Sequence, residues 1–292
     1  MRKPDLFILG APKCGTTALA TWLSEHPYIY MSPVKEPHFF NTDGLRATRS
    51  REEYLKLFQD ADNGHRVLGE ASTHYLYSKE AVPNILEFNP EAQFIVCLRN
   101  PVQMASSLHS ERIYQGRETE TEFGRAWRLQ GARRAGRKIP VTLRDDPERL
   151  QYGAYCRLGE QMERLYRLVS RDRVLPLLLD DFRVDERGVY LQVLRFLDLE
   201  YDGRTEFGTQ NARKRVRSPR LARCLKRVAT LKNSIGIQFS VGIANWLDRA
   251  NTQEARSTEI KPEIESELKA YFKEDVELLS SLLDRKLNHW IE

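Results

Sequence analysis

Hydrophobic positions along this chain fall into short unbroken runs that alternate with stretches of helical spacing. The run at 5–10 predicts a first strand, and 16–26 predicts a helix that ends near Pro27. YIYMS, 28–32, reads as a short strand left through the proline-bounded loop SPVKEPHFF. Periodicity then predicts a helix over 51–60, a short strand over 67–72 (VLGEAS) and a helix over 81–88 before the NPEA turn. FIVCLR, 94–99, reads as a buried strand because its apolar run is unbroken, and a helix follows from Pro101. Residues 116–148 are polar, charged and broken by Gly and Pro, an excursion long enough to predict a functional lid. Further on, 152–169 reads as a helix, 174–182 (VLPLLLDDF) as a buried strand despite Pro176, and 187–196 as a helix. This alternation predicts a three-layer α/β fold, a mostly parallel central sheet with helices on both faces. Ligands of such sheets bind beyond the carboxyl ends of the strands. The loops after residue 10 and after GEAS, together with Arg99, are therefore expected to converge on one cleft.

The first of those loops is the most specific feature. LFILGAPKCGTT, 6–17, runs from an apolar strand through Gly10, Lys13, Cys14 and Gly15 to Thr16 and Thr17, which open a helical segment. Strand, glycine loop and helix N-terminus make an anion cradle, because inward-turned N–H groups and the helix dipole both favour negative charge. The NTPase loop reads G-x-x-x-x-G-K-[ST]. Gly10 and Gly15 keep that glycine spacing, but Thr16 takes the lysine position and the lysine lies three residues earlier. FIVCLRN ends in arginine where a Walker B strand would supply an aspartate, which disfavours a metal-dependent nucleotide kinase or ATPase.

PKCGTT resembles the 5′-phosphosulfate loop of sulfotransferases that use 3′-phosphoadenosine-5′-phosphosulfate (PAPS). The downstream stretch FIVCLRNPVQMASSLH, 94–109, is similar to the family's second signature, a strand-terminal arginine followed eight residues later by a helical serine. The closing pattern YFKEDVELLSSLLDRKLNHW resembles the terminal helix of many bacterial members, and the resemblance extends over most of the chain. It implies PAPS as sulfuryl donor, adenosine 3′,5′-bisphosphate as product and no metal. Lys13, Cys14, Gly15, Thr16 and Thr17 would hold the 5′-phosphate, and Arg99 and Ser107 the 3′-phosphate. Arginine's rigid fork of donors suits that task on chemical grounds alone. The segment FGTQNARKRVRSPRL lies where relatives place a basic loop over the nucleotide, so Arg213, Lys214, Arg215 and Arg217 are candidates to clamp the 3′-phosphate, with Arg215 and Arg217 favoured.

Sulfuryl transfer by in-line displacement builds charge on the leaving oxygen, which Lys13 is suited to stabilise. The acceptor hydroxyl or amine must lose a proton. Glu70 of GEASTHYLY is the first choice of base, matching the glutamate in the E-K-x-x-x-Y-F motif of heparan-type sulfotransferases. Ala71 replaces that motif's lysine, and Lys35 of VKEPHFF is the candidate substitute cation. His38 and His74 are rival bases, since cytosolic aryl and steroid sulfotransferases use a histidine. Glu36 is expected to shape the cleft with Lys35, or to orient His38 or the substrate.

Composition narrows the partners. The 292 residues, 41% hydrophobic, suit a single α/β domain over 1–292, with 116–148 as lid and 211–250 as a basic nucleotide loop with a helical appendage. Net charge of +5, concentrated in 125–149 and 213–227, attracts anions, and nothing resembles a nucleic-acid module. The acceptor is expected to be a carbohydrate, with a lipid or a small natural product as alternatives. Cys14, Cys97, Cys156 and Cys224 are widely spaced, which argues against zinc and a disulfide framework. Cys14 reads as a small residue in a tight loop, reactive only if the local positive field lowers its pKa. No apolar run approaches the roughly 20 residues of a membrane span, and the N-terminus flows straight into the cradle, so a cytoplasmic enzyme is expected. The stretch 235–247 (IGIQFSVGIANWL) reads as a core helix, a substrate gate or a dimer face, and oligomeric state stays open. A non-catalytic nucleotide-binding module is the remaining alternative, against which an intact Lys13 and Glu70 argue.

Overall fold

The computed structural model describes residues 2–44, 48, 50–144, 146–208, 214–216, 252–254 and 260–292, the two short strands 214–216 and 252–254 by backbone alone. The chain divides into two compact units, one of 1–104, 157–210 and 272–292, the other of 105–156 and 211–271.

The first unit holds the central sheet. Its strands are β1 (Leu6–Gly10), β2 (Ile29–Met31), β3 (Val67–Ala71), β4 (Gln93–Leu98) and β5 (Val174–Leu178), all parallel, in the order β2-β3-β1-β4-β5. The unbroken apolar runs belong to β1 and β4, two of the three inner strands, where Leu6 to Leu9 and Phe94 to Leu98 are fully buried. Pro176 is tolerated because β5 is an edge strand, so its missing N–H interrupts no ladder on the outer side.

The order has a consequence for ligand binding. From β1 the chain passes through α1 (Thr16–Ser24) to β2 on one side, whereas from β4 it proceeds to β5 on the other. Right-handed crossovers of opposite direction put α1 on one face, and α2 (Arg51–Lys56) and α3 (Ala81–Phe88) on the opposite one. The loops leaving β1 and β4 therefore diverge at neighbouring strand ends and open a crevice between them. Gly10 and Lys13 follow β1, and Arg99 follows β4.

Local chemistry sets the element ends. Ser50 and Glu53 form a reciprocal capping box at the start of α2. The strand expected over 174–182 stops at Leu178, because Asp180 and Asp181 suit the first turn of a helix, α4 (Leu179–Val184), which α5 (Glu186–Phe196) follows. The single helix expected over 152–169 is instead two, Tyr152–Tyr155 and Leu158–Leu168. The Asp275 carboxylate accepts from Gly159 N (3.0 Å) and Glu160 N (2.9 Å), which starts the second helix afresh. Gly159 itself lies so close to the Asp275 carbonyl that a Cβ would stand 2.3 Å from its oxygen.

The second unit contains most of the helix Pro101–Tyr114 and the excursion 116–148. That excursion is more ordered than its composition predicts. It forms helices Phe123–Arg128 and Gln130–Arg134 and short 3₁₀ turns around a buried Glu118, which accepts from Arg133 (2.7 Å) and from Tyr152 (2.8 Å). Strands Lys214–Val216 and Thr252–Glu254 pair antiparallel in the same unit. The rest of 209–259, including Arg213, Arg217, Cys224 and the apolar stretch 235–247, lies outside the described residues. Among the described residues, no helix is long and apolar enough to cross a membrane.

Candidate active site

The loop after β1 is built by backbone constraint. Gly10 has φ 137°, and a Cβ there would stand 2.6 Å from the Thr73 carbonyl oxygen, so only glycine fits. Ala11 N donates to Cys97 O (2.7 Å) and ties the turn to β4. Lys13 (φ 66°) and Gly15 (φ 91°) are both left-handed, and Gly15 serves as the N-cap of α1. No side chain caps α1 and its first turn has no acidic residue, so its leading N–H groups face the loop with the helix dipole unopposed. Thr16 is buried and Thr17 half-buried at that terminus. Cys14 is fully buried, its Sγ 3.4 Å from Pro12 O. Burial raises its thiol to about 12, outweighing the nearby Arg99 and Lys13 charges. With that proton retained, the Cys14 side chain brings no charge to the loop.

Arg99 stands at the end of β4, nearly buried. Its Nη1 donates to the Lys13 carbonyl (3.0 Å) and its Nη2 to Gln103 Oε1 (3.2 Å). The strand-terminal arginine and the loop lysine are thus immediate neighbours. Asn100 Oδ1 accepts from Val102 N (3.0 Å) and starts the helix Pro101–Tyr114, on which Ser107 is buried about two turns along.

A second cluster follows β3. Glu36 N donates to Ala71 O (2.9 Å), which docks the 35–40 segment on the strand end. The Glu36 carboxylate accepts from Thr73 N (2.8 Å) and from Thr73 Oγ1 (3.0 Å), lies 3.1 Å from His38 Nε2 and pairs with Lys35 Nζ. Burial pushes this carboxyl up, but the His38 and Lys35 hydrogen bonds and charges prevail and hold it far below the usual range. The His38 and His74 rings are 5.0 Å apart, and His38 Nδ1, buried, has no hydrogen-bond partner among the described residues. Glu36 (φ 62°) and His38 (φ 48°) both hold left-handed backbone, a strain of order 1–3 kcal/mol each that clusters at functional sites.

Glu70 is placed differently. It is 0% exposed, and its carboxylate accepts from Tyr54 OH (3.0 Å), Tyr75 OH (2.9 Å) and Ser72 Oγ (2.8 Å). The Glu36 side chain keeps 29% of its exposure. Of the two carboxylates, only Glu36 meets solvent, so the structure does not present Glu70 to an acceptor. Burial raises Glu70 to about 7 despite its three hydroxyl donors. Between the ordinary carboxylate range and pH 7 the folded chain therefore keeps a proton that the unfolded chain has lost, and this group's contribution to stability falls as pH rises through that window. Glu70→Gln removes the titration. The melting temperature of Glu70→Gln minus that of the wild type is expected to climb between pH 4.5 and 7 and level off above, as read by calorimetry. A flat difference would show that Glu70 is ionised throughout.

The structure therefore brings Lys13, Cys14, Gly15, Thr16, Thr17 and Arg99 to one crevice, and Lys35, Glu36, His38 and His74 to one cluster. The two groups meet where Gly10 packs on Thr73. Lys214 and Arg215 are described as strand backbone only. Thr73, Ser72, Tyr54, Tyr75 and Gln103 were missed in the sequence. The one available signal was the density of hydroxyls in GEASTHYLY, at two, three and five residues after Glu70. Among the described residues, no group of three His, Cys, Asp or Glu is placed to hold a metal ion.

Comparison with known proteins accords with this geometry. The family described as "Sulfotransferase domain" matches residues 3–277. Carbohydrate sulfotransferase 15 of Mus musculus is 28% identical over 248 residues, 67% of this chain and 44% of that protein. Heparan sulfate glucosamine 3-O-sulfotransferase 6 of Homo sapiens is 31% identical over 112 residues, 38% of this chain and 31% of that protein. Both matches cover less than half of the relative's length. The crystal structure of a sulfotransferase from Alicyclobacillus acidocaldarius superposes with a TM-score of 0.74 at 25% identity, covering 100% of both chains.

Proposed function

The chain belongs to the sulfotransferase domain family, and on that premise we propose that it moves a sulfuryl group from PAPS to a hydroxyl or amine of a carbohydrate. The observation that carries this reading is the contact of the Arg99 guanidinium with the Lys13 carbonyl, which makes one crevice of the phosphosulfate-like loop and the strand-terminal arginine. The residues fit a doubly phosphorylated adenosine. An uncapped helix terminus, a lysine and glycine-enabled backbone suit the 5′ side, and the Arg99 guanidinium suits the 3′-phosphate. The carbohydrate acceptor is favoured because the relatives' names specify carbohydrate and heparan sulfate.

Lys13 places its ammonium to neutralise the oxygen that gains charge as the donor S–O bond breaks. Thr16, Thr17 and the first N–H groups of α1 hold the 5′-phosphate. Glu36, ionised and within reach of solvent, takes the proton of the acceptor as the new S–O bond to a hydroxyl, or S–N bond to an amine, forms. Thr73 aims that carboxylate with two donors, and Lys35 and His38 flank it. The base role thereby moves from Glu70, which is sealed, to Glu36.

Thermal unfolding with added nucleotide tests the donor. A ligand at a hundred times its Kd stabilises by about 2.7 kcal/mol. Adenosine 3′,5′-bisphosphate is expected to raise the melting temperature by several degrees, and ATP with Mg²⁺ to leave it unchanged. Stabilisation by ATP with Mg²⁺ alone would overturn the reading in favour of a kinase or NTPase.

A further inference from the structure

Glu70 does not face an acceptor, yet three hydroxyls donate to its buried carboxylate beside the proposed base. An ionised carboxylate only accepts, so Tyr54, Tyr75 and Ser72 each commit their single hydroxyl proton to it. The oxygens of two of these hydroxyls are then left as acceptors, and backbone amides occupy them. Tyr75 Oη accepts from Phe39 N (2.9 Å) and Phe40 N (3.3 Å), and Ser72 Oγ accepts from His38 N (3.2 Å). Three consecutive amides are thereby connected through two hydroxyls to one buried carboxylate. These residues lie in neither helix nor strand, so no ladder satisfies their N–H groups. The segment is also the one that carries the left-handed Glu36 and His38. Tyr54 adds a further restraint by stacking on Phe39, with ring centroids 4.6 Å apart at 12°.

We propose that Glu70 is a positioning residue for sulfuryl transfer: through Ser72 and Tyr75 it fixes the backbone of His38, Phe39 and Phe40, and with it the Glu36–His38 pair. The role rests on the reading of Glu36 as the base. It depends on the direction of the hydrogen bonds. A glutamine at position 70, or a protonated Glu70, brings a donor into a cluster in which every hydroxyl already donates. Either a hydroxyl proton loses its acceptor or an amide is displaced from Tyr75 or Ser72. Burial and the Glu70 charge raise both phenols well above their usual value, so Tyr54 and Tyr75 remain donors throughout the neutral range. The other charged groups facing this cluster are Glu36, with its partners Lys35 and His38.

Backbone ¹⁵N NMR of the full chain between pH 5 and 9 tests the relay without any acceptor. The His38, Phe39 and Phe40 amide resonances are expected to titrate with one shared midpoint, and Glu70→Gln to abolish it. Tyr75→Phe should release Phe39 and Phe40 and keep His38, whereas Ser72→Ala should do the reverse. In transfer from ³⁵S-labelled PAPS to desulfated heparan oligosaccharides, Glu70→Gln is expected to lower kcat roughly 10- to 100-fold. Its affinity for adenosine 3′,5′-bisphosphate should stay unchanged, and Tyr75→Phe and Ser72→Ala should each reproduce part of the loss. Amides that titrate independently of one another overturn the proposal. So does a Glu70→Gln enzyme without turnover beside fully active Tyr75→Phe and Ser72→Ala, since Glu70 would then act as the base itself. A shared titration in a chain that does not bind adenosine 3′,5′-bisphosphate sinks the sulfotransferase reading instead, and the positioning role with it.

Discussion

Glu36→Gln is expected to lower the rate of sulfuryl transfer by roughly 10²- to 10⁴-fold, the usual worth of a positioned general base. Glutamine keeps the size of the side chain and an oxygen to accept from Thr73, but it cannot take a proton from the acceptor. It also leaves Lys35 and His38 without their carboxylate. The pH profile carries a second expectation. Because Lys35 and His38 hold Glu36 far below the ordinary carboxylate range, it is ionised at every pH near neutrality. No loss of rate through protonation of Glu36 should then appear until the pH falls below that range. Its contribution to stability has the opposite sign to that of Glu70: present above the unfolded-state value, and lost only as pH falls through the depressed folded value. Single-turnover transfer from ³⁵S-labelled PAPS measures the effect. Near-normal rates in Glu36→Gln, with loss in His38→Ala, would assign the proton to the histidine.

Lys13→Ala is expected to cost roughly 10²- to 10³-fold in kcat, comparable to removal of one donor aimed at developing negative charge. Binding of adenosine 3′,5′-bisphosphate should change far less. The physical reason is that the loop is held by its backbone. Gly10 packs on Thr73, Ala11 N reaches Cys97 O, and Arg99 grips the carbonyl of Lys13, not its side chain. Alanine keeps that carbonyl and demands no new φ. Arg99→Ala should show the reverse pattern, with weakened nucleotide affinity as the main effect, because it removes both a guanidinium from the crevice and the clasp on the loop. Calorimetric titration of the two variants, set beside their turnover, separates these roles. Equal loss of affinity in Lys13→Ala would mean that the lysine binds the ground state and is not reserved for the leaving oxygen.

Much of the first unit was legible before any coordinates. The inner strands β1 and β4 are apolar throughout, so LFILG and FIVCL announced themselves, whereas the equally buried β3 carries Glu70. Gly10, at φ 137° and pressed against the Thr73 carbonyl, and Gly15, at φ 91°, hold backbone that favours glycine, so both marked the loop. Where reading failed, a distant residue had decided. Asp275 split the helix expected over 152–169 by capping its second half across more than a hundred residues of sequence. The excursion 116–148 looked irregular because its order rests on Glu118, Arg133 and Tyr152, charges and a phenol whose burial no local pattern reveals.

The two glutamates show the same division. By sequence alone Glu36 and Glu70 are both carboxylates near strand ends, and the motif resemblance favoured Glu70. Sequence determined the sheet, the cradle and the family, because strand burial, turn conformation and helix starts depend on neighbouring residues. Which carboxylate meets solvent was decided by the tertiary fold. Tyr54 arrives from α2 and Tyr75 from the turn beyond β3 to enclose Glu70, while the 35–40 segment holds Glu36 open against Thr73. Exposure and proton affinity at a site are properties of what packs around a group, and those surroundings are assembled from segments that are far apart in the chain.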